Sequence, residues 1–326
     1  MELNGAELNC SYFHITGRQL RRFAVAQILS CVVSVCQPSP QQLSQAQEFL
    51  NQGKPAQSIP VLRDFLRSNP VSADGHYLLG LALFRDAKPE EALVEFNAGA
   101  RLRRPTPEEL KTVASTYVLL NDFVSADKWF TEVTIEVPKD ANSWYLLGRT
   151  KYNRELFTDA IQCFQRALLL QSGHIEAENN LGLSYQAMNS DDSAEQAFRT
   201  AISWQREMPR DAQPYLNLGI LLANKHMENE ALPYLEQAVT LAPENPRIHE
   251  ELGVVYGALD DLKDAESQLE SAVSLAPDVP GLHYKLGQIY RRDGMNEKAT
   301  EELEACKRLN STHSSTPTPN PFHVPS

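Results

Sequence analysis

Few residues in this chain have the types and spacing that chemistry needs. His249-Glu250-Glu251 opens like the HExxH helix of a zinc peptidase, but the second histidine is missing, because position 253 is glycine. No GxSxG, P-loop or GxGxxG stretch occurs. The five cysteines (Cys10, Cys31, Cys36, Cys163 and Cys306) form no CxxC pair and no cysteine–histidine cluster with zinc spacing. Cys163 and Cys306 lie 143 residues apart, so no disulfide is expected between them. The expectation is a protein that is not an enzyme, with no catalytic residues, no cofactor and no metal. Thirty basic residues against 42 acidic ones give a formal charge of −12. That balance argues against a nucleic-acid or anionic-membrane binder, since both need a basic face.

The N-terminus reads as a leader, residues 1–37. Arg18, Arg21 and Arg22 precede fourteen uncharged, mostly apolar residues, 23–36, which end at the polar, proline-bearing QPSPQQ. This is the layout of an export signal. At about 1.5 Å per residue the apolar run is too short to cross a ~30 Å hydrocarbon core, so no transmembrane helix is expected in the mature chain. Ser34 and Cys36 suit an ordinary cleavage site that releases Gln37. Alternatively, Ile28-Leu29-Ser30-Cys31 resembles a lipobox, with Cys31 lipidated and membrane contact made only through that lipid. A third reading leaves the segment uncleaved in a cytoplasmic protein. The leader carries +1, so the remainder carries −13.

The rest of the chain is repetitive. Leu-Gly pairs end at Gly80, Gly148, Gly182, Gly219, Gly253 and Gly287, with spacings of 68, 34, 37, 34 and 34 residues. Ala46 and Ala114 keep the register where glycine is absent. Twelve residues on stands a small residue: Ser58, Ala92, Ala126, Ala160, Ala194, Ala231, Ala265 or Ala299. Four further on stands a large apolar knob: Leu62, Phe96, Phe130, Phe164, Phe198, Leu235, Leu269 or Leu303. A 34-residue period signals a helix-turn-helix solenoid. The array runs over 38–310 as about eight units, near 39–72, 73–106, 107–140, 141–174, 175–211, 212–245, 246–279 and 280–310. The small residues allow close helix crossing, and the knob is expected to fill the space between units. Pro70, Pro138, Pro243 and Pro277 close several units. Three extra residues in 202–211 are expected to lengthen the second helix of the fifth unit by nearly a turn. The Ser/Thr/Pro-rich 311–326 is expected to be a disordered tail.

With Trp144, Leu147, Gly148, Tyr152, Ala160, Phe164 and Ala167 in one unit, the sequence resembles the tetratricopeptide repeat and, with its leader, an exported bacterial member of that family. The resemblance implies an all-α, right-handed superhelical solenoid that binds a protein or peptide partner in a concave groove. The first helix of each unit would line that groove with its second, fifth, sixth, ninth, twelfth and thirteenth residues. By register these include Tyr77, Phe84, Arg85, Tyr145, Arg149, Tyr152, Asn153, Asn179, Asn180, Asn217 and Asn224. Aromatic and arginine side chains suit interface anchors, and asparagine suits a peptide backbone. His76, His249 and His283 take the aromatic site of Trp144 and Tyr215, where packing is the expected role. The lysine–asparagine clamp for a chaperone's C-terminal carboxylate is absent after Lys111 and Ser115, so no Hsp70 or Hsp90 tail is expected. The Arg101, Arg103, Arg104 cluster ends a helix, where positive charge is favoured in any case.

Three functions are therefore open. The first is an exported scaffold, periplasmic or secreted, that captures an extended peptide or protein. The second is a lipid-anchored accessory factor of secretion or pilus assembly. The third is a repeat module serving a glycosyltransferase or other enzyme in trans.

Overall fold

The computed structural model describes residues 40–314. The expected leader, Cys31 and the tail beyond Ser314 lie outside the described residues. Among the described residues there are sixteen helices and no strands. The chain divides into two units, one ending at Leu120 and the other beginning at Asn121.

The first unit holds α1 (Pro40–Asn51), α2 (Pro55–Ser68), α3 (Ala73–Arg85), α4 (Pro89–Leu102) and α5 (Pro107–Leu119). The second holds α6 (Phe123–Glu136), α7 (Ala141–Asn153), α8 (Phe157–Leu170), α9 (Ile175–Ala187), α10 (Asp191–Trp204), α11 (Gln213–Asn224), α12 (Glu228–Leu241), α13 (Pro246–Ala258), α14 (Leu262–Leu275), α15 (Pro280–Arg292) and α16 (Asn296–Ser314). The third repeat is thus split, with α5 in one unit and α6 in the other. The array was expected to end at residue 310, but α16 continues to Ser314.

The glycine and the knob meet within one repeat. A Cβ at Gly80 would come 2.6 Å from the Phe96 ring, and one at Gly182 would come 2.5 Å from Phe198. The knob therefore closes its own helix pair, and it also belongs to the core shared with the next repeat, Phe164 with Ala177 and Leu181 and Phe198 with Ala212 and Tyr215. Phe130, Phe164 and Phe198 are fully buried this way, each contributing about 1.5–3 kcal/mol of apolar burial.

The turn inside each repeat has one constant that the residue types hide. The fifteenth residue of all eight repeats is left-handed: Gly53, Ala87, Asn121, Glu155, Asn189, His226, Asp260 and Gly294. Only two of these are glycine, although positive φ costs least there.

Ring side chains staple the start of a first helix to the end of the preceding second helix. The Nε2–H groups of His76, His249 and His283 donate to the carbonyls of Pro70, Pro243 and Pro277 at 3.1, 2.8 and 2.8 Å, and Trp144 Nε1 donates to Pro138 at 3.0 Å. The closing prolines thus supply an acceptor as well as a helix stop.

The three extra residues of the fifth repeat do not lengthen its second helix. α10 stops at Trp204 after fourteen residues, the same length as α8 and α12. The insertion instead forms a loop around the buried Gln205. Its Oε1 accepts from the amides of Arg210 (3.1 Å) and Asp211 (2.9 Å), and its Nε2 donates to the Asp211 carbonyl at 3.0 Å. These bonds satisfy backbone groups that another helical turn would have used.

Candidate binding surfaces

The first unit holds a cleft of about 400 Å³ bordered by α3, α4 and α5. Its α3 wall presents Asp74, Tyr77, Leu78 and Leu81, the second, fifth, sixth and ninth residues of the repeat. Its α5 wall presents Glu108, Glu109 and Thr112, and the Phe96 ring of α4 closes the floor. Leu78 and Leu81 are half-buried, so the floor is apolar yet open.

The cleft wall is fixed by its own ionic bonds. Thr106 caps α5, accepting from the Glu109 amide at 3.3 Å, while the Thr106 amide donates to Glu109 Oε2 at 2.7 Å, completing a capping box. Arg103 donates to both Glu109 oxygens, at 2.8 and 3.1 Å, and to Asp74 at 3.0 Å. Its guanidinium lies 4.6 Å above the Tyr77 ring, and the Tyr77 hydroxyl donates to the Arg103 carbonyl at 2.7 Å. Burial pushes the Glu109 carboxyl up, but the bonds from Arg103 and Thr106 outweigh it and hold the group below the usual carboxylate range. Burial, then the Glu109 charge, raises the Tyr77 phenol, with Arg103 opposing. Arg103 is therefore part of the wall rather than a free reader of anions.

In the second unit Tyr145 is half-buried, its ring 4.8 Å from His174 and 6.2 Å from Phe164, with the Arg149 guanidinium 5.7 Å over it. Tyr152 meets the edge of Phe157 at 5.4 Å. Arg149, Asn153 and Asn224 are exposed, and Asn180 is half-buried, donating to the Glu176 carbonyl at 2.7 Å. These residues can face a ligand.

Five other expected groove residues have inward duties. Tyr77 is buried as cleft wall. Asn179 and Asn217 are buried and bond to each other at 2.8 Å, joining α9 to α11 instead of reading a peptide backbone. Phe84 packs against the first unit's core, and Arg85 donates to the Leu50 carbonyl at the end of α1, at 2.9 Å. The expected list also lacks Leu78, Leu81 and Glu108. They sit at the sixth, ninth and second repeat positions, which is the signal for them, but two leucines among packing leucines do not stand out. Among the described residues no three His, Cys, Asp or Glu side chains converge as a metal site would require.

Paired helices with a small-residue crossing, a ring staple and an open first-helix face define a helical-repeat protein. Family models for the tetratricopeptide repeat match residues 43–108 and 229–280, and also 141–174, 175–208, 212–245 and 280–313. Together these cover well over half of the sequence, and the chain belongs to the tetratricopeptide repeat family, whose members are typical protein–protein interaction scaffolds. Over 120 residues it is 29% identical to anaphase-promoting complex subunit 6 of Arabidopsis thaliana, a match spanning 37% of this chain but only 22% of that protein. Among solved structures it resembles a tetratricopeptide repeat protein from Parabacteroides merdae, at a TM-score of 0.60 and 20% identity, over 82% of this chain and 98% of that one. It also resembles the APC/C hetero-tetramer Cut9–Hcn1, at a TM-score of 0.58 and 16% identity, over 90% of this chain and 57% of that one. At such identities the two structures speak for the fold alone.

Proposed function

We propose that this protein is a non-enzymatic scaffold that captures a peptide segment of a protein partner, using the α3–α5 cleft as an anchor site. The observation that carries this reading is the apolar floor left open at Leu78 and Leu81, on first-helix positions that vary between repeats, with Asn180, Glu251 and Lys285 at the sixth and Arg149 and Gln288 at the ninth. A buried-on-binding pocket with a few polar groups at its edge is what a peptide side chain needs. In the second unit Tyr145, Arg149, Asn153, Asn180 and Asn224 offer aromatic, cationic and amide groups for further contacts. The test is selection of a random-peptide phage library on the immobilised chain. Leu81→Arg fills the cleft with charge and is expected to abolish enrichment. Tyr145→Ala with Asn180→Ala is expected to weaken it. Enrichment unchanged in both variants, with helix content retained, would sink the reading.

The basic–apolar–polar order of residues 18–42 favours an exported setting, and we propose that residues 1–37 direct export. Fractionation with N-terminal sequencing of the mature chain tests this, and Cys31→Ser separates lipidation from simple cleavage. A cytosolic chain with an intact N-terminus refutes it.

A further inference from the structure

We propose that the α3–α5 cleft selects a cationic segment: a partner peptide in which a leucine- or phenylalanine-sized side chain stands next to lysine or arginine. This rests on the peptide-capture reading and names the chemistry of what is captured. Every charged side chain lining the cleft is a carboxylate, namely Asp74, Glu108 and Glu109. Glu109 is occupied by the two-pronged Arg103 contact. The other two have capacity to spare. Asp74 is 72% exposed with one Arg103 contact at 3.0 Å, and Glu108 is 81% exposed with one Lys111 contact at 2.7 Å. A carboxylate can accept about four hydrogen bonds, so each can take a further cation.

Two basic groups beside them, Arg103 and Lys111, are already engaged. Arg103 is held by Glu109, Asp74, the Arg104 carbonyl and the Tyr77 ring at once. The Lys111 side chain is largely covered. An acidic segment would therefore meet like charge at the rim while its apolar anchor sat on Leu78, Leu81 and Phe96. A cationic one gains at both places.

The full chain is titrated, by fluorescence anisotropy, against three labelled ten-residue peptides of Ser/Gly background. One carries Leu-Arg-Phe-Lys, one Leu-Glu-Phe-Glu and one Ser-Arg-Ser-Lys. The first is expected to bind, with the second and third each about tenfold weaker or more, for want of charge match and of anchor respectively. The isosteric pair Asp74→Asn and Glu108→Gln is expected to lower affinity for the first peptide about fivefold, with helix content and melting retained. Equal or tighter binding of the acidic peptide overturns the proposal, as does unchanged affinity in the double variant. If the acidic peptide is preferred and Leu81→Arg removes it, the charge assignment fails while peptide capture stands. If no peptide binds in a way that Leu81→Arg abolishes, both fail.

Discussion

Gln205 is the side chain on which the fifth repeat's loop depends. Being only 3% exposed, it closes three hydrogen bonds to the backbone of Arg210 and Asp211, in the loop between α10 and α11. Gln205→Ala should leave two amides and one carbonyl unpaired and cost about 1–3 kcal/mol, read as a lower melting midpoint by circular dichroism. Glu178 makes a different case. It stands at the fourth repeat position, where five repeats carry a ring (His76, Trp144, Tyr215, His249 and His283), and burial pushes its carboxyl up to about 6 from an ordinary 4.5. A raised carboxylate value means that the ionised form costs stability above pH 6, and that the cost fades as pH falls through 6 towards 4.5. Glu178→Gln should therefore stabilise the chain at pH 7.5, by less than about 1 kcal/mol for a half-buried group that solvent still screens, and should be near neutral at pH 4.5. Paired thermal melts at the two pH values check this, and a gain at pH 4.5 as large as at pH 7.5 would refute it. Residue-scale detail of this kind is poorly legible in sequence. Whether Asn179 or Asn180 turns inward depends on about 100° of helix rotation, and the sequence fixes helix identity far better than rotation.

At the scale of helices, the contact of one repeat with the next alternates in chemistry. At the twenty-first repeat position the second unit carries Asp127, Glu195 and Glu266 on α6, α10 and α14, but Ile161 and Leu232 on α8 and α12. Each acid is answered from the following repeat. Asp127 meets Lys151 and Arg154, Glu195 meets Lys225 at 2.9 Å, and Glu266 meets Lys298 at 3.1 Å. Asp127 is the buried one, and its loss takes the shared carboxylate from Arg154 and from a largely covered Lys151, which keeps, among the described residues, only Asp159 at 3.7 Å. Asp127→Ala is expected to cost about 3 kcal/mol, against about 1 kcal/mol or less for Glu266→Ala, whose lysine is half-exposed. Chemical denaturation followed by tryptophan fluorescence measures both, because Trp129, Trp144 and Trp204 all lie in the second unit. Equal costs would overturn the ranking. The pairing of helices is legible because glycine and knob recur sixteen residues apart. The loop around Gln205 is not, since an insertion of three residues fits a longer helix as well as a braced turn until side-chain bonds are seen.

For the molecule as a whole, the 34-residue period is the most legible property, because each repeat must solve the same packing problem against its neighbours. Charge is less evenly shared than composition suggests. Residues 40–120 carry nine basic and nine acidic side chains, whereas residues 121–326 carry 18 basic and 31 acidic ones, so the whole excess of 13 negative charges falls in the second stretch. The cleft proposed for a cationic peptide thus belongs to a neutral unit with a locally acidic rim, on a chain whose total charge is −12. These two levels act on different rate constants. The total charge attracts a cationic peptide from a distance and is screened over about 10 Å at 0.1 M salt, so it governs association. The seat of the apolar side chain on Leu78 and Leu81 governs dissociation, which salt touches little. Raising sodium chloride from 0.05 to 0.5 M should therefore slow association of the Leu-Arg-Phe-Lys peptide about tenfold, while dissociation changes less than about twofold. Leu81→Ala should do the reverse, speeding dissociation and leaving association and its salt dependence in place. Stopped-flow anisotropy separates the two. Association that ignores salt would mean that the chain's net charge plays no part in capture, and dissociation that follows salt would mean that the rim carboxylates, not the apolar floor, hold the peptide.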